Sequence, residues 1–232
     1  MKDSLIQLID LPDEILMLIF KTLNNVDLLD SLMDINIKLT QFVRDPIFTN
    51  RLTLFRCSSN DFIYPLDNTI LDRFCLQILP EIDHKIKWLN LESSSIERIL
   101  LVTDYSNLHG LGLYNIKEET FRHLFADESI LTDIYKKQIS KLTIAMATNN
   151  TRSFKDEIRT VYTHIFTIFI NLQYLNYLSH SNDYMHYLSF DGKPPNIFSS
   201  ILTELHINLA NFDDCLYILD GCFIQLRKFY VN

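Results

Sequence analysis

Ile86-Lys87-Trp88-Leu89-Asn90-Leu91 sets the grammar of this chain: apolar, two spacers, apolar, one spacer, apolar. The form returns as Leu108-His109-Gly110-Leu111-Gly112-Leu113 and Ile139-Ser140-Lys141-Leu142-Thr143-Ile144. It returns again as Leu172-Gln173-Tyr174-Leu175-Asn176-Tyr177, Leu202-Thr203-Glu204-Leu205-His206-Ile207 and Leu226-Arg227-Lys228-Phe229-Tyr230-Val231. Starts at 86, 108, 139, 172, 202 and 226 leave gaps of 22, 31, 33, 30 and 24 residues. One such window carries no weight in a chain so rich in Leu, Ile, Val and Phe, since about one in twenty fits by chance. Six at quasi-regular gaps do. The alternation in each segment suits a short strand with its apolar residues on one face. Stretches of helical spacing, such as 118–125 and 155–169, lie between them. Strands alternating with helices predict an α/β protein, either a strand–helix solenoid or an α/β domain with a parallel sheet.

Upstream the pattern is helical. Asp10-Leu11-Pro12-Asp13-Glu14-Ile15-Leu16-Met17-Leu18-Ile19-Phe20 opens a helix expected from about Pro12 to Leu23. Asp10 can cap it, Pro12 suits its first turn, and Asp13 and Glu14 suit the positive end of its dipole. From Ile15 to Phe20 it is apolar all round, whereas a surface helix should show one polar face. So small a segment cannot bury every side of that helix alone. A second helix is expected from about Val26, with Leu28, Leu29, Leu32 and Ile35 on one face, and a third from Ile37 to Arg44, ended by Pro46. Residues 57–68 read as a connector, and 70–79 as a helix with Ile70, Phe74 and Ile78 on one face, stopped by Pro80. The expected division is a helical module over 1–52, a linker helix region over 53–80 and the repeat domain over 81–232.

Composition narrows the classes. The 232 residues are 47% hydrophobic and 22% charged, ample for a core, and only four glycines and six prolines argue against disorder. A net charge of −8 without a basic stripe disfavours nucleic acid. Cys57, Cys75, Cys215 and Cys222 lack framework spacing, which suits reduced thiols in an intracellular protein, in cytoplasm or nucleus. The N-terminus lacks the features of a secretory signal, so the Asn149-Asn150-Thr151 sequon is read as silent. The stretch from Val161 to Leu178 is too short and polar to span a bilayer, so no membrane association is expected.

The N-terminal module resembles an F-box. Leu11-Pro12-Asp13-Glu14-Ile15-Leu16, then Ile19-Phe20 and Leu23, Asp27-Leu28-Leu29, Leu32 and Ile35 match that family in order and spacing over some 35 residues. Where the family continues with a cysteine or serine, basic residues and a tryptophan, this chain has Asn36, Ile37, Lys38 and Leu39. The later segments look like the irregular leucine-rich repeats that often follow an F-box, although three gaps exceed the usual 20–29-residue period. The resemblance implies a substrate-recognition subunit of an SCF-type (Skp–cullin–F-box) ubiquitin ligase. It would bind a Skp-type adaptor, and through it a cullin, and recruit a protein substrate. It also implies that Leu11, Pro12, Ile15, Ile19, Phe20, Leu28 and Leu29 make much of the adaptor contact. An F-box scaffold that binds the adaptor without delivering a substrate is the alternative.

No catalytic, cofactor or metal constellation stands out. Among seven histidines no metalloprotease motif occurs, and His180 and His186 are six apart, the wrong spacing for one helical face. Cys215 and Cys222 have no second pair to complete a zinc site. Asp213-Asp214 reads as the cap of a helix over 215–219. The protein is thus expected to be non-catalytic and to need no cofactor. If the repeats form an open sheet face, the residues between the apolar ones line it, with Trp88, Tyr174 and His206 as candidate target contacts. Trp88 reads equally as an anchor or as the cap of the first repeat. Because the last segment ends at Asn232 with no polar cap, the chain is expected to be part of a longer protein.

Overall fold

A computed structural model describes residues 8–60, 62–126, 129–147, 154–178, 187–190, 198–220 and 222–231. His180, His186 and the sequon at 149–151 lie outside them. The chain is α/β, as the alternation predicts. Its strands are β1 (Arg51–Cys57), β2 (Ile63–Pro65), β3 (Trp88–Glu92), β4 (Gly110–Ile116), β5 (Lys141–Met146), β6 (Tyr174–Leu178), β7 (Glu204–Ile207) and β8 (Lys228–Val231). They form one eight-stranded sheet in the order β2-β1-β3-β4-β5-β6-β7-β8. Only β2, on β1, is antiparallel. Among the parallel strands each lies beside the one before it, with no reversal of direction along the sheet.

All six repeated segments fall in one register. Leu89, Leu111, Leu142, Leu175, Leu205 and Phe229 face one another across the sheet. The residue before each strand carries the linkage. The Asn50 carbonyl accepts from both Lys87 and Trp88, and Lys87 accepts in turn from His109 and Gly110. His109, Ser140, Gln173 and Thr203 repeat the device toward the next strand. Such ladders satisfy the backbone at every strand entry, so the register survives gaps of unequal length.

The sheet starts earlier than the pattern indicates. Leu52 and Leu54 of β1 pair with Leu89 and Leu91, so residues read as the end of the helical module and the start of the linker region supply the sheet's first two strands. The leading apolar slot is here Thr49, buried with its hydroxyl donating to the Asp45 carbonyl at 3.1 Å. In β4 the register slips between Leu113 and Ile116, where Asn115 takes a left-handed φ of 53° and donates to the Ile63 carbonyl.

The helices are α1 (Asp13–Phe20), α2 (Asn25–Leu32), α3 (Ile37–Val43), α4 (Pro46–Thr49), α5 (Asn68–Arg73), α6 (Leu79–Ile82), α7 (Ile96–Leu100), α8 (Glu118–Leu124), α9 (Ile130–Tyr135), α10 (Phe154–Ile168) and α11 (Phe212–Leu219). Four expectations are corrected. Asp10 belongs to a short 3-10 turn, and Pro12 is the N-cap of α1 without a side-chain acceptor. α2 ends before Ile35, because Met33 is extended and Asp34 is left-handed, with φ 67°. Pro80 does not stop its helix. A π turn over Phe74–Ile78 carries the Leu79 N–H to the Phe74 carbonyl and leaves Pro80 in the first turn of α6, where no donor is needed. Finally, α11 is capped by Asn211, which accepts from the Asp214 N–H at 2.9 Å, while buried Asp214 accepts from the Phe190 N–H.

The core is continuous from Leu16 and Phe20 of α1 through Phe74 to Leu175. Polar ties reinforce that join: Arg56 pairs with Asp27 at 2.7 Å, Arg44 with Glu81, and Arg73 binds Asp30 and the Met33 carbonyl. The four cysteines form no disulfide. No helix among the described residues is long and apolar enough to cross a membrane.

Candidate docking surfaces

The all-round apolarity of α1 divides into two faces. Leu16 and Phe20 enter the core, where Phe20 meets Phe42 and Phe48 edge-on at 6.1 and 6.4 Å. Ile15 (42% exposed), Leu18 (63%) and Ile19 (37%) stay on the surface, flanked by Pro12 and by Leu23 just past the helix. Spacings of three and four place them along one outer stripe. Lys38 fixes the start of α1: its ammonium lies 3.1 Å from Asp13 and donates to the carbonyls of Ile9 and Leu11. At the point where the sequence departs from the F-box pattern, Asn36 caps α3, Leu39 is buried and Ile37 is exposed beside a groove of about 540 Å3.

The seven residues implied for adaptor contact therefore separate. Phe20, Leu28 and Leu29 are buried in this chain's own core. Leu11 is half-buried against that core, while Pro12, Ile15 and Ile19 remain outside. Leu18 and Leu23, outside that set, are exposed beside them. A helix without polar residues gives no phase, so only the packing shows which side faces out.

The second surface is the sheet face opposite the leucines. Trp88, Gly110, Lys141, Tyr174, Glu204 and Lys228 form one row across it, with Arg51 at the near end. The three candidates Trp88, Tyr174 and His206 all belong to this face. The sheet continues past Trp88 to β1 and β2, so it does not cap an end. Its indole instead lies over β4, in the space a side chain at Gly110 would occupy. The indole N–H donates to Asn90 Oδ1 at 2.6 Å, Asn90 donates to Thr53 Oγ1 at 3.0 Å, and the Arg51 guanidinium stacks 4.7 Å from the ring centre. Asn90 and Thr143 are nearly covered, so the face is more enclosed at its middle than the alternation implies.

At the far end His206 stacks on Tyr230 with ring centres 4.2 Å apart and meets Tyr174 at 5.4 Å. Glu204 accepts from His206 at 2.8 Å and from Lys228 at 3.0 Å, and those two bonds hold its carboxyl below the usual carboxylate range. Between the ends lies a groove of about 470 Å3, floored by Thr143 and Asn176 and walled by Trp88, Tyr114 and Tyr174.

The chain matches no family model and no curated protein. Its two surfaces must therefore be read on their own chemistry. Lys87, His109, Gln173, Thr203 and Arg227, expected on the open face, sit at its lip, where their backbone serves the ladder. Gly110 and Gly112, two of only four glycines, were not singled out by the sequence reading. Their signal was available: glycine at alternate positions of one strand leaves bare backbone for a neighbour to lie on. The resulting wall offers flat rings, fixed amides and cations, a set suited to holding a segment of another chain.

Proposed function

We propose that this protein is the substrate-recognition subunit of an SCF-type ubiquitin ligase. The helices α1 to α3 act as an F-box that docks on a Skp-type adaptor, and the sheet with its covering helices is an irregular leucine-rich-repeat solenoid that holds a protein target. The observation that carries the reading is the outer stripe of α1: Pro12, Ile15, Leu18, Ile19 and Leu23 stay uncovered while Leu16 and Phe20 anchor the same helix from behind. Each apolar side chain buried at such a contact contributes about 1.5–3 kcal/mol, enough in sum to outweigh association costs. The protein performs no bond chemistry. It raises the local concentration of target lysines beside an activated ubiquitin, a gain that reaches millimolar effective concentration for short tethers.

The test is affinity capture of the full chain from cells with the proteasome blocked. Wild type should recover adaptor, cullin and ubiquitin-bearing partners; an Ile15→Asp/Ile19→Asp variant should recover partners without adaptor or ubiquitin. Equal recovery of the adaptor by both forms, or by neither, contradicts the proposal.

A further inference from the structure

The groove on the sheet face carries a charge pattern unlike that of the chain around it. The protein is acidic overall, with 29 carboxylates against 21 lysines and arginines. Inside the groove the balance reverses. Arg51 and Lys141 stand on either side of Trp88 and Gly110 in one register row, and neither has an ion-pair partner among the described residues. The groove's carboxylate, Glu204, is already engaged by Lys228 and His206. Glu92, on the same face nearer β2, is nearly buried and accepts from the Ser94 N–H and hydroxyl.

The placement of the two cations is built rather than incidental. Arg51 is drawn over the indole of Trp88, and the indole is drawn over bare β4, so the guanidinium leans toward Lys141. The two side chains leave the sheet three strands apart, about 14 Å at the usual strand spacing. An extended chain rises about 3.3 Å per residue and presents alternate side chains to one side. Residues four positions apart on such a chain, about 13 Å, can therefore reach both cations, with the residue midway on the same side packing against the free edge of Trp88. Tyr174 bounds the groove beyond Lys141, and Thr143 and Asn176 on the floor give a passing backbone its hydrogen-bond partners.

We infer that this groove binds an extended peptide segment whose two carboxylate side chains pair with Arg51 and Lys141 around an apolar residue packed against the edge of Trp88. This rests on the reading of the sheet face as the target-binding wall and names the class of target: an acidic, extended segment. Arg51 meets one carboxylate as a planar fork and Lys141 meets the other as a point charge. The aromatic wall supplies the anchor that pure charge attraction would lack.

The experiment uses the full chain and three fluorescein-labelled nine-residue peptides read by fluorescence anisotropy. One has two glutamates four positions apart with a leucine midway, one replaces both glutamates by glutamine, and one replaces them by phosphoserine. The glutamate peptide should bind with micromolar affinity, at least tenfold tighter than the glutamine peptide, and weaken as salt is raised. Arg51→Gln and Lys141→Gln should each cost at least fivefold. Lys141→Gln leaves the Arg51–Trp88 stack in place, so its loss reports charge and not folding. The Ile15→Asp/Ile19→Asp variant should bind the peptide as wild type does, which separates this site from adaptor docking. Equal affinity for the glutamate and glutamine peptides, binding of the phosphoserine peptide alone, or no binding by any peptide overturns the inference.

Discussion

Replacing Gly110 by alanine should displace the only tryptophan of the chain. The new methyl group would collide with the six-membered ring of Trp88, and the three nearest atoms it meets all belong to that indole. The closest clashes are with a side chain and not with backbone, so the strand can stay while the ring moves. Moving it breaks the bond to Asn90 and the stack under Arg51, about 1 kcal/mol for the hydrogen bond and up to about 1 kcal/mol for the exposed cation–π contact. Overpacking strain adds about 1–3 kcal/mol if the ring resists, while alanine returns about 0.5–1 kcal/mol over glycine in an ordered strand. The net expectation is a destabilisation of about 1–2 kcal/mol. Urea denaturation measures it, and tryptophan emission reports the ring directly, with a red shift and easier quenching. In a Trp88→Ala background the same substitution should become neutral or mildly stabilising, a coupling of about 2 kcal/mol across the double-mutant cycle read by circular dichroism. Unchanged emission and stability for Gly110→Ala, or the same cost with and without the indole, would refute the packing argument.

Three further outcomes follow from burial and charge. Leu175→Ala, at a fully buried position of the central row, should cost about 2–5 kcal/mol in urea unfolding, whereas Leu18→Ala on the outer stripe should stay within about 0.5 kcal/mol. Glu204 is held below its ordinary value of 4.5 by its bonds to His206 and Lys228, so its contribution is present above that pH and lost as the pH falls below it; Glu204→Gln should flatten this acid limb of the stability profile. Burial pushes the Tyr105, Tyr162 and Tyr177 hydroxyls well above 10.0, so the stability they confer is complete below that pH and lost above it; phenolate absorbance should show these rings ionising only with alkaline unfolding.

The repeat was legible because its apolar slots are read by one buried surface: Ile86, Leu108, Ile139, Leu172 and Leu202 are all buried, and each precedes a strand at the same offset. β1 escaped because Thr49 fills that slot with a hydroxyl bonded back to Asp45, a solution invisible to a hydrophobic pattern. Helix starts and ends were legible where a backbone rule applies, as at Pro46, which sits in the first turn of α4. They failed where side-chain geometry decides, as with Asn211 taking the cap expected of Asp213-Asp214. The co-facial placement of Trp88, Tyr174 and His206 followed from strand alternation. Their working geometry did not, since it depends on Gly110 making room and on Arg51 from a strand the pattern missed.

The most direct measurement is calorimetric titration of the purified chain with a purified Skp-type adaptor. Wild type should bind with submicromolar affinity, Ile15→Asp/Ile19→Asp should lose at least a hundredfold, consistent with about 1.5–3 kcal/mol for each apolar contact, and Lys141→Gln should bind as wild type does. Absence of binding by wild type, or undiminished binding by the α1 variant, would contradict the account.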